Sequence, residues 1–390
     1  MATSGWAAPL YSRNRVNEAG RAYVDPATSR EDRELALAVI NNWRSSHSYP
    51  LNTMQVGLRN KARKVDPNVL VAQRIKRLPS IRQKLERIHG MDLARMQDIG
   101  GCRAVVNTVE EVRAVVDDYH HSKFKHALTR EDDYITTPQD TGYRSAHLIY
   151  RYYSDRKTTY NGLKIEVQVR SALQHAWATA VETVGTFTQQ ALKARGGEAD
   201  WLRFFALMSS ELAHREGTPL VPGTPGNRRD LASELRALAN ELHVVDRLTA
   251  YGAALDLAEQ QTLPNMKYFL LELNSGAENP ALRVRGYRVL AEATDAYTAV
   301  ERSWEDDPNT DVVLVSVESI ASLRRAYPNY FLDTHVFVDA VEEATRTGRA
   351  RGRHRRANAR DTGRRADSDS AAKRGASGPT KGRNAAKKRA

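Results

Sequence analysis

One cysteine in 390 residues, Cys102, excludes an intramolecular disulfide framework and any zinc site built on a cysteine cluster. No apolar run approaches the roughly 18 residues a membrane-spanning helix needs. The opening stretch MATSGWAAPLYSRNR also lacks the hydrophobic segment of a secretory leader. The expected address is therefore the cytoplasm, with no membrane partner. No internal repeat is evident, and His120-His121 has no companion at metal-ligand spacing. What is present, 41% hydrophobic and 27% charged residues, is the make-up of an ordinary folded chain. Its length predicts two or three folded units plus extensions.

The net charge of +12 is unevenly placed. Of the 59 Lys and Arg, 16 follow residue 345, together with three of the 47 Asp and Glu, so the first 345 positions carry 43 cations against 44 carboxylates. Residues 346–390 contain almost no large apolar side chain and cannot bury a core, which predicts a disordered basic tail. Such a tail reads either as an electrostatic arm for RNA or another polyanion, or as a solubilising extension.

Patterning divides the body. Thr28-Ser29-Arg30-Glu31 has the form of a capping box, and Leu35, Val39 and Trp43 follow at four-residue spacing, predicting a helix over 29–46. Further helices are expected over 52–65, with Met54 and Leu58 inward, and over 81–89, ending at Gly90. The β-branched run 102–107 predicts a strand followed by a helix over 109–119. Residues 146–152 and 164–170, separated by a turn with Asn161-Gly162, predict an antiparallel hairpin. A long helix is expected from about Ser171, with breaks at Gly196-Gly197 and at 218–227. Residues 229–303, including MKYFLLEL, read as almost wholly helical. DVVLVSV (311–317) reads as a buried strand, with a helix over 319–326 after it. The resulting domain plan is an N-terminal segment (1–28), a first domain (29–195), a helix-rich α/β extension (200–345) and the tail.

In KIEVQVR, Ile165, Val167 and Val169 share one face of a strand, while Lys164, Glu166, Gln168 and Arg170 share the other. Asp98-Ile99-Gly100-Gly101-Cys102-Arg103 sets a carboxylate and a guanidinium at the two ends of what reads as a glycine turn entering a strand. Two carboxylates from different strands, flanked by Arg and Lys, suit metal-assisted phosphoryl chemistry: acids hold magnesium, cations take phosphate charge, an aromatic stacks a base. Taken singly, the pieces have plainer readings. Arg82 and Lys84 fit the solvated face of a helix, His175 a satisfied helix histidine, and Trp177 a core residue.

Four segments in order and spacing, RIKRLPSIRQKL (74–85), DIGGCRAVV (98–106), DDYITTPQDTGYRSAH (132–147) and EVQVRSALQHAWA (166–178), resemble the synthetase domain of the RelA/SpoT family over roughly residues 30–190. The resemblance implies an α/β fold with a mixed sheet flanked by helices, of the polymerase-beta nucleotidyltransferase type. It also implies a Mg²⁺-dependent pyrophosphokinase that moves the β,γ-pyrophosphate of ATP to the 3′-hydroxyl of GDP or GTP, giving (p)ppGpp and AMP. Position by position, Asp98 matches the family's magnesium-binding aspartate. Glu166 matches the glutamate that helps bind metal or activates the acceptor hydroxyl. Arg74, Lys76 and Lys84 match cations around the ATP phosphates and base, with Ser80 between them, and Arg103 matches the arginine that packs on adenine. Tyr143 matches the tyrosine that stacks on the acceptor guanine, His147 a histidine beside it, and Gln168 and Arg170 complete the active-site strand.

There are departures. Gln139 stands where many synthetases carry Lys, and Thr141 where they carry Asn, both in the acceptor region. The chain has no His-Asp dipeptide, on which the family's hydrolase domain depends, so alarmone hydrolysis is not expected. Two other functions fit the same residues: a pyrophosphokinase acting on the 3′ CCA end of tRNA, for which the basic tail provides RNA contact, and a catalytically silent nucleotide- or RNA-binding regulator. The retention of both Asp98 and Glu166 argues against the silent form. The 200–345 extension is open to autoinhibition, partner binding, oligomerisation or plain scaffolding.

Overall fold

Three helices precede the sheet. α1 (Arg13–Val24) and α2 (Arg30–Ser46) pack through Val16, Ala19, Tyr23, Ile40 and Trp43, and α3 (Ser48–Val65) follows directly. In α2 the capping pair is Ser29 with Asp32: the Ser29 hydroxyl accepts from the Asp32 amide and donates to its carboxylate at 2.7 Å. The N-cap thus lies one residue later than Thr28, and Asp32 bonds the Ser29 hydroxyl rather than its backbone amide, so the reciprocal box does not form. The buried stripe is turned accordingly to Ala36, Val39, Ile40 and Trp43, leaving Leu35 55% exposed. Met54 and Leu58 of α3 do point inward.

A computed structural model of the chain describes residues 6–188, 198–253, 266–274, 281–304, 310–316 and 334–346. After α3 come β1 (Leu70–Ile75), α4 (Leu78–Arg87), β2 (Gly100–Val106), α5 (Val109–His120), β3 (Ala127–Asp133), β4 (Ala146–Arg151), β5 (Lys164–Ser171) and α6 (Ala172–Thr188). Then follow α7 (Glu198–Glu216), α8 (Arg228–Glu241), α9 (Val244–Ala253), β6 (Tyr268–Asn274), β7 (Ala281–Tyr287), α10 (Leu290–Ser303), β8 (Thr310–Ser316) and α11 (His335–Thr345). The strands form one sheet in the order β3-β4-β5-β2-β1-β8-β6-β7. β2 and β5 run parallel, and the remaining neighbours are antiparallel, so the fold is α/β with a mixed sheet flanked by helices. No described helix is long and apolar enough to cross a membrane.

The alternation in β5 decides which face carries chemistry. Ile165, Val167 and Val169 are fully buried with Leu58, Val112 and Val115 of α3 and α5. Glu166, Gln168 and Arg170 therefore project from the opposite face. The β4–β5 hairpin forms as the spacing predicts, with Gly162 at φ 86° in the connection. A second core joins Trp177 of α6 to Phe204 and Phe205 of α7, Leu231 and Leu235 of α8, and Phe337 of α11.

Several expectations are corrected. MKYFLLEL is a strand, β6, not a helix, and β7 also interrupts the stretch expected to be helical. Phe269, Leu270 and Leu271 are all fully buried because β6 lies inside the sheet between β8 and β7, and a strand covered on both faces shows no alternation to betray it. Gly100 and Gly101 are not a turn but the first residues of β2. A Cβ on Gly100 would lie 2.9 Å from Ile165 Cδ1, so the glycine is there for close packing. β1 and β3 went unforeseen, β1 being short and β3 a charged edge strand. The Gly196-Gly197 break and the helix over 319–326 fall outside the described residues, as does nearly all of the tail.

Candidate active site

β1, β2, β4 and β5 carry their polar side chains to one cleft of about 180 Å³, walled by Arg74, Asp98, Gly101, Arg103, His147, Glu166, Gln168 and Arg170. The register explains the convergence. Gly101 sits opposite Arg74 on one side and Glu166 on the other, and Arg103 sits opposite Gln168, which in turn faces His147. With no side chain at Gly101, the nearest neighbour of its missing Cβ is Glu166 Oε2 at 3.7 Å, and the glutamate has room beside the strand.

Asp98 precedes β2 and is gripped by two ammonium groups. Lys76 Nζ lies 2.7 Å from Oδ2 and Lys84 Nζ 2.9 Å from Oδ1. Burial pushes this carboxyl up, but the two lysines outweigh it and hold it down at about 2. Burial draws Lys76 below the ordinary lysine range, Asp98 opposing and Arg74 and Lys84 adding to the fall. α4 separates its cations cleanly: Arg82 pairs with Glu86 on the solvated face, whereas Lys84, half a turn on, faces Asp98. Ser80 is half-buried on α4 and is not part of the cleft wall.

Glu166 belongs to a second chain of bonds. His147 Nδ1 is 3.0 Å from Glu166 Oε1, and Gln168 Nε2 donates to Oε2 at 2.7 Å. Tyr143 Oη is 2.7 Å from His147 Nε2 and accepts from Arg170 Nη2 at 2.6 Å. A carboxylate can only accept, so the imidazole presents Nδ1–H to the glutamate, while the donor in the Tyr143–His147 bond depends on whether Nε2 carries a proton. Arg170 also donates to Gln168 Oε1 at 3.1 Å and stands 5.1 Å over the Tyr143 ring. Burial raises Glu166, yet His147 and Gln168 together bring it below the usual glutamate range, against the opposing charge of Asp98. Both acids are ionised at neutral pH. Tyr143 does not line the cleft itself and reaches it through His147 and Arg170.

Three features escaped the sequence. Glu182 of α6 also lines the cleft, and the lone acid in ATAVETV was its only signal. Cys102 lies in the floor, where burial pushes its thiol up and suits it to packing rather than nucleophilic attack. Finally, the loop bearing Tyr143 is anchored on α7. Buried Arg144 donates to Ser209 Oγ at 2.9 Å and to the Pro219 carbonyl at 2.6 Å, and Ser209 Oγ donates to the Gly142 carbonyl at 2.6 Å. His175 is a buried helix residue, Trp177 is core and donates to the Phe205 carbonyl at 2.9 Å, and His120 pairs with Glu131.

The donor set fits magnesium, which takes hard oxygen ligands and is held by one or two carboxylates together with substrate phosphates. Asp98 and Glu166 supply two ionised carboxylates to one cleft, and no group of three His, Cys, Asp or Glu that would cage an ion unaided occurs among the described residues.

Two carboxyls held ionised thus share one cleft with Arg74, Arg103 and Arg170 on a face of the mixed sheet. Residues 73–189 match the sequence family described as the region found in RelA / SpoT proteins, and the chain carries that region. It is 29% identical over 115 residues to the GTP pyrophosphokinase YjbM of Bacillus subtilis, a match covering 29% of this chain and 54% of YjbM. Against YwaC, a GTP pyrophosphokinase of the same organism, identity is 29% over 113 residues, covering 27% and 52%. The chain thus spans about half the length of these curated relatives. Among solved structures it is similar to small alarmone synthetase 2 of B. subtilis, at 21% identity and TM-score 0.37 over 45% of this chain and 91% of that one. It is also similar to small alarmone synthetase 1 bound to pppGpp, at 21% identity and TM-score 0.33 over 44% and 92%.

Proposed function

We propose that the protein is a magnesium-dependent pyrophosphokinase that transfers the β,γ-pyrophosphate of ATP to the 3′-hydroxyl of GDP or GTP. The observation that carries this reading is the pair of ionised carboxylates, Asp98 and Glu166, in one cleft with Arg74, Arg103 and Arg170. The RelA/SpoT region and the names of its curated relatives point the same way. A neutral body with one buried cysteine and no described membrane-length helix accords with action in the cytoplasm.

In this reading the acceptor 3′-oxygen attacks the β-phosphorus of ATP, the bond from that phosphorus to the α-phosphate oxygen breaks, and AMP leaves. Asp98 and Glu166 would hold the ion, which when bound neutralises charge on the phosphate oxygens. Lys76 and Lys84, now on Asp98, stand where they can turn to the triphosphate, and Arg74 reaches the same cleft. Arg103 offers a planar, permanently charged face to the adenine. Tyr143 is the stacking platform for the acceptor base, with one face already under Arg170. His147 fixes Glu166 through Nδ1–H, which aims that carboxylate either at the ion or at the acceptor hydroxyl, whose proton it would then take. Residues 29–195 are the catalytic region, and α7 and α10 of the extension after it supply scaffold that holds it.

The test is to incubate the protein with Mg²⁺ and β- or γ-labelled ATP and to offer GDP, GTP or deacylated tRNA in parallel. Label is expected on the guanine nucleotides, and removal of residues 346–390 is expected to leave that transfer nearly unchanged. RNA affinity needs clustered cations, and those lie in the tail, which cannot by itself place a 3′-hydroxyl in line with phosphorus. Label on tRNA alone, lost with the tail, would establish the tRNA-directed reading. No label on any acceptor would leave a nucleotide-binding regulator.

A further inference from the structure

The corner between β1 and α4 carries Lys76 and leads to Lys84, the two cations on Asp98. Yet α4 starts without a cap of its own, since the side chain of Arg77 at the N-cap position makes no capping bond to the helix. An uncapped helix start leaves amide donors unsatisfied. The missing acceptor comes from the far end of the chain: Glu301 Oε1, on α10, accepts from the Leu78 amide at 2.9 Å. A carboxylate is also the favourable charge at a helix N-terminus.

Glu301 does not act alone. Arg44 of α2 donates through Nη1 to Glu301 Oε2 at 2.8 Å and through Nη2 to Oε1 at 3.2 Å, and the pair is buried at 4% and 6% side-chain exposure. Tyr297, one turn before Glu301, donates to Oε1 at 2.7 Å and accepts from Arg44 Nη2 at 2.6 Å. The remaining guanidinium nitrogen, Nε, donates to the Lys76 carbonyl at 2.9 Å. Residues 76–78 are thus held at a carbonyl by Arg44 and at an amide by Glu301. The Lys76 amide in turn donates to the carbonyl of Ile99, next to Asp98, at 2.8 Å.

A buried ion pair is a poor stability device, because replacing both partners by apolar residues is often neutral or favourable. Here both ionic heads also bond to the backbone that presents the phosphate-side cations. We propose that Glu301, with Arg44 and Tyr297, is a positioning residue for the donor nucleotide, setting the β1–α4 corner so that Lys76 and Lys84 meet the ATP phosphates. The C-terminal extension is in this way a working part of the donor site. This proposal rests on the pyrophosphokinase reading above.

The test uses the full chain with Arg44→Met and Glu301→Leu combined, so that no lone charge stays buried, and separately Tyr297→Phe, which removes one hydroxyl. Unfolding curves establish that each variant is folded, and KM for ATP, KM for the guanine nucleotide and kcat are measured apart. The double variant is expected to raise KM for ATP at least about tenfold, since small displacements of positioning groups are amplified in this way. KM for the guanine nucleotide is expected to stay within about twofold, because that side of the cleft is held by α7. Tyr297→Phe shifts KM for ATP in the same direction, by less. A folded double variant with unchanged KM for ATP overturns the proposal. Should the double variant not fold, unchanged KM for ATP in folded Tyr297→Phe overturns it equally. Wild-type protein that transfers no label defeats the underlying reading instead, so the two failures are distinct.

Discussion

Replacing Gly142 by Ala is expected to loosen the acceptor loop without touching a proposed catalytic side chain. Gly142 has φ 94°, a conformation that costs an L-residue roughly 1–2 kcal/mol. Its Cβ would lie 2.8 Å from Ser209 Cβ, 3.0 Å from Trp177 Cζ2 and 3.1 Å from the Phe205 carbonyl oxygen. None of these is the free end of a flexible chain: two belong to α7 and one to a 4% exposed indole. Overpacking of this kind costs typically 1–3 kcal/mol. The reduced freedom of the unfolded alanine chain returns about 0.4–1 kcal/mol. The net loss is about 3 kcal/mol, read by equilibrium urea unfolding followed by tryptophan fluorescence, to which Trp177 contributes directly. Because Tyr143 is the next residue, KM for the guanine nucleotide should rise more than KM for ATP. A loss under about 0.5 kcal/mol, the scale of an unremarkable surface change, would refute the packing argument. Equal changes in the two KM values would refute the link to the acceptor.

Other outcomes follow from the same geometry. Glu166→Gln keeps size and the bonds to its neighbours' backbone strands but removes charge, so AMP release should cease while the protein still folds and binds ATP; wild-type-like AMP release would sink the assignment. Tyr143→Ala should weaken the acceptor by roughly 1–3 kcal/mol, the worth of base–aromatic stacking, with ATP affinity little changed; equal losses would make the tyrosine structural. Asp98 is held at about 2 against an ordinary 3.8, so its pairing stabilises the fold fully above about pH 4 and is lost as pH falls through that interval. The stability advantage of wild type over Asp98→Asn should shrink by about 1 kcal/mol from pH 5 to pH 3, and a constant difference between their urea midpoints would contradict the ion-pair account.

Much of the site is local pattern, and local pattern is readable from sequence. The alternation in KIEVQVR assigns Glu166, Gln168 and Arg170 to one face because a strand's side chains alternate whatever surrounds it. The hairpin before it follows from two β-rich runs around Asn161-Gly162. Charge counting likewise separates a near-neutral body from a basic tail. Spacing leaves Arg82 and Lys84 together on the solvated face of α4, and only the arrival of Asp98 from outside the helix separates Lys84, which meets it, from Arg82, which pairs with Glu86. The burial of β6 on both faces, which makes MKYFLLEL a strand, comes from neighbours that β7 and β8 bring from elsewhere in the chain. The capping of α4 by Glu301, the clamp of Arg144 and Ser209 on the Tyr143 loop, and the links from Arg170 to Tyr143 and from His147 to Glu166 are contacts between residues far apart in sequence. No periodicity records such pairs: each partner alone looks like a surface charge or a core hydroxyl, and only the closed fold brings them within bonding distance.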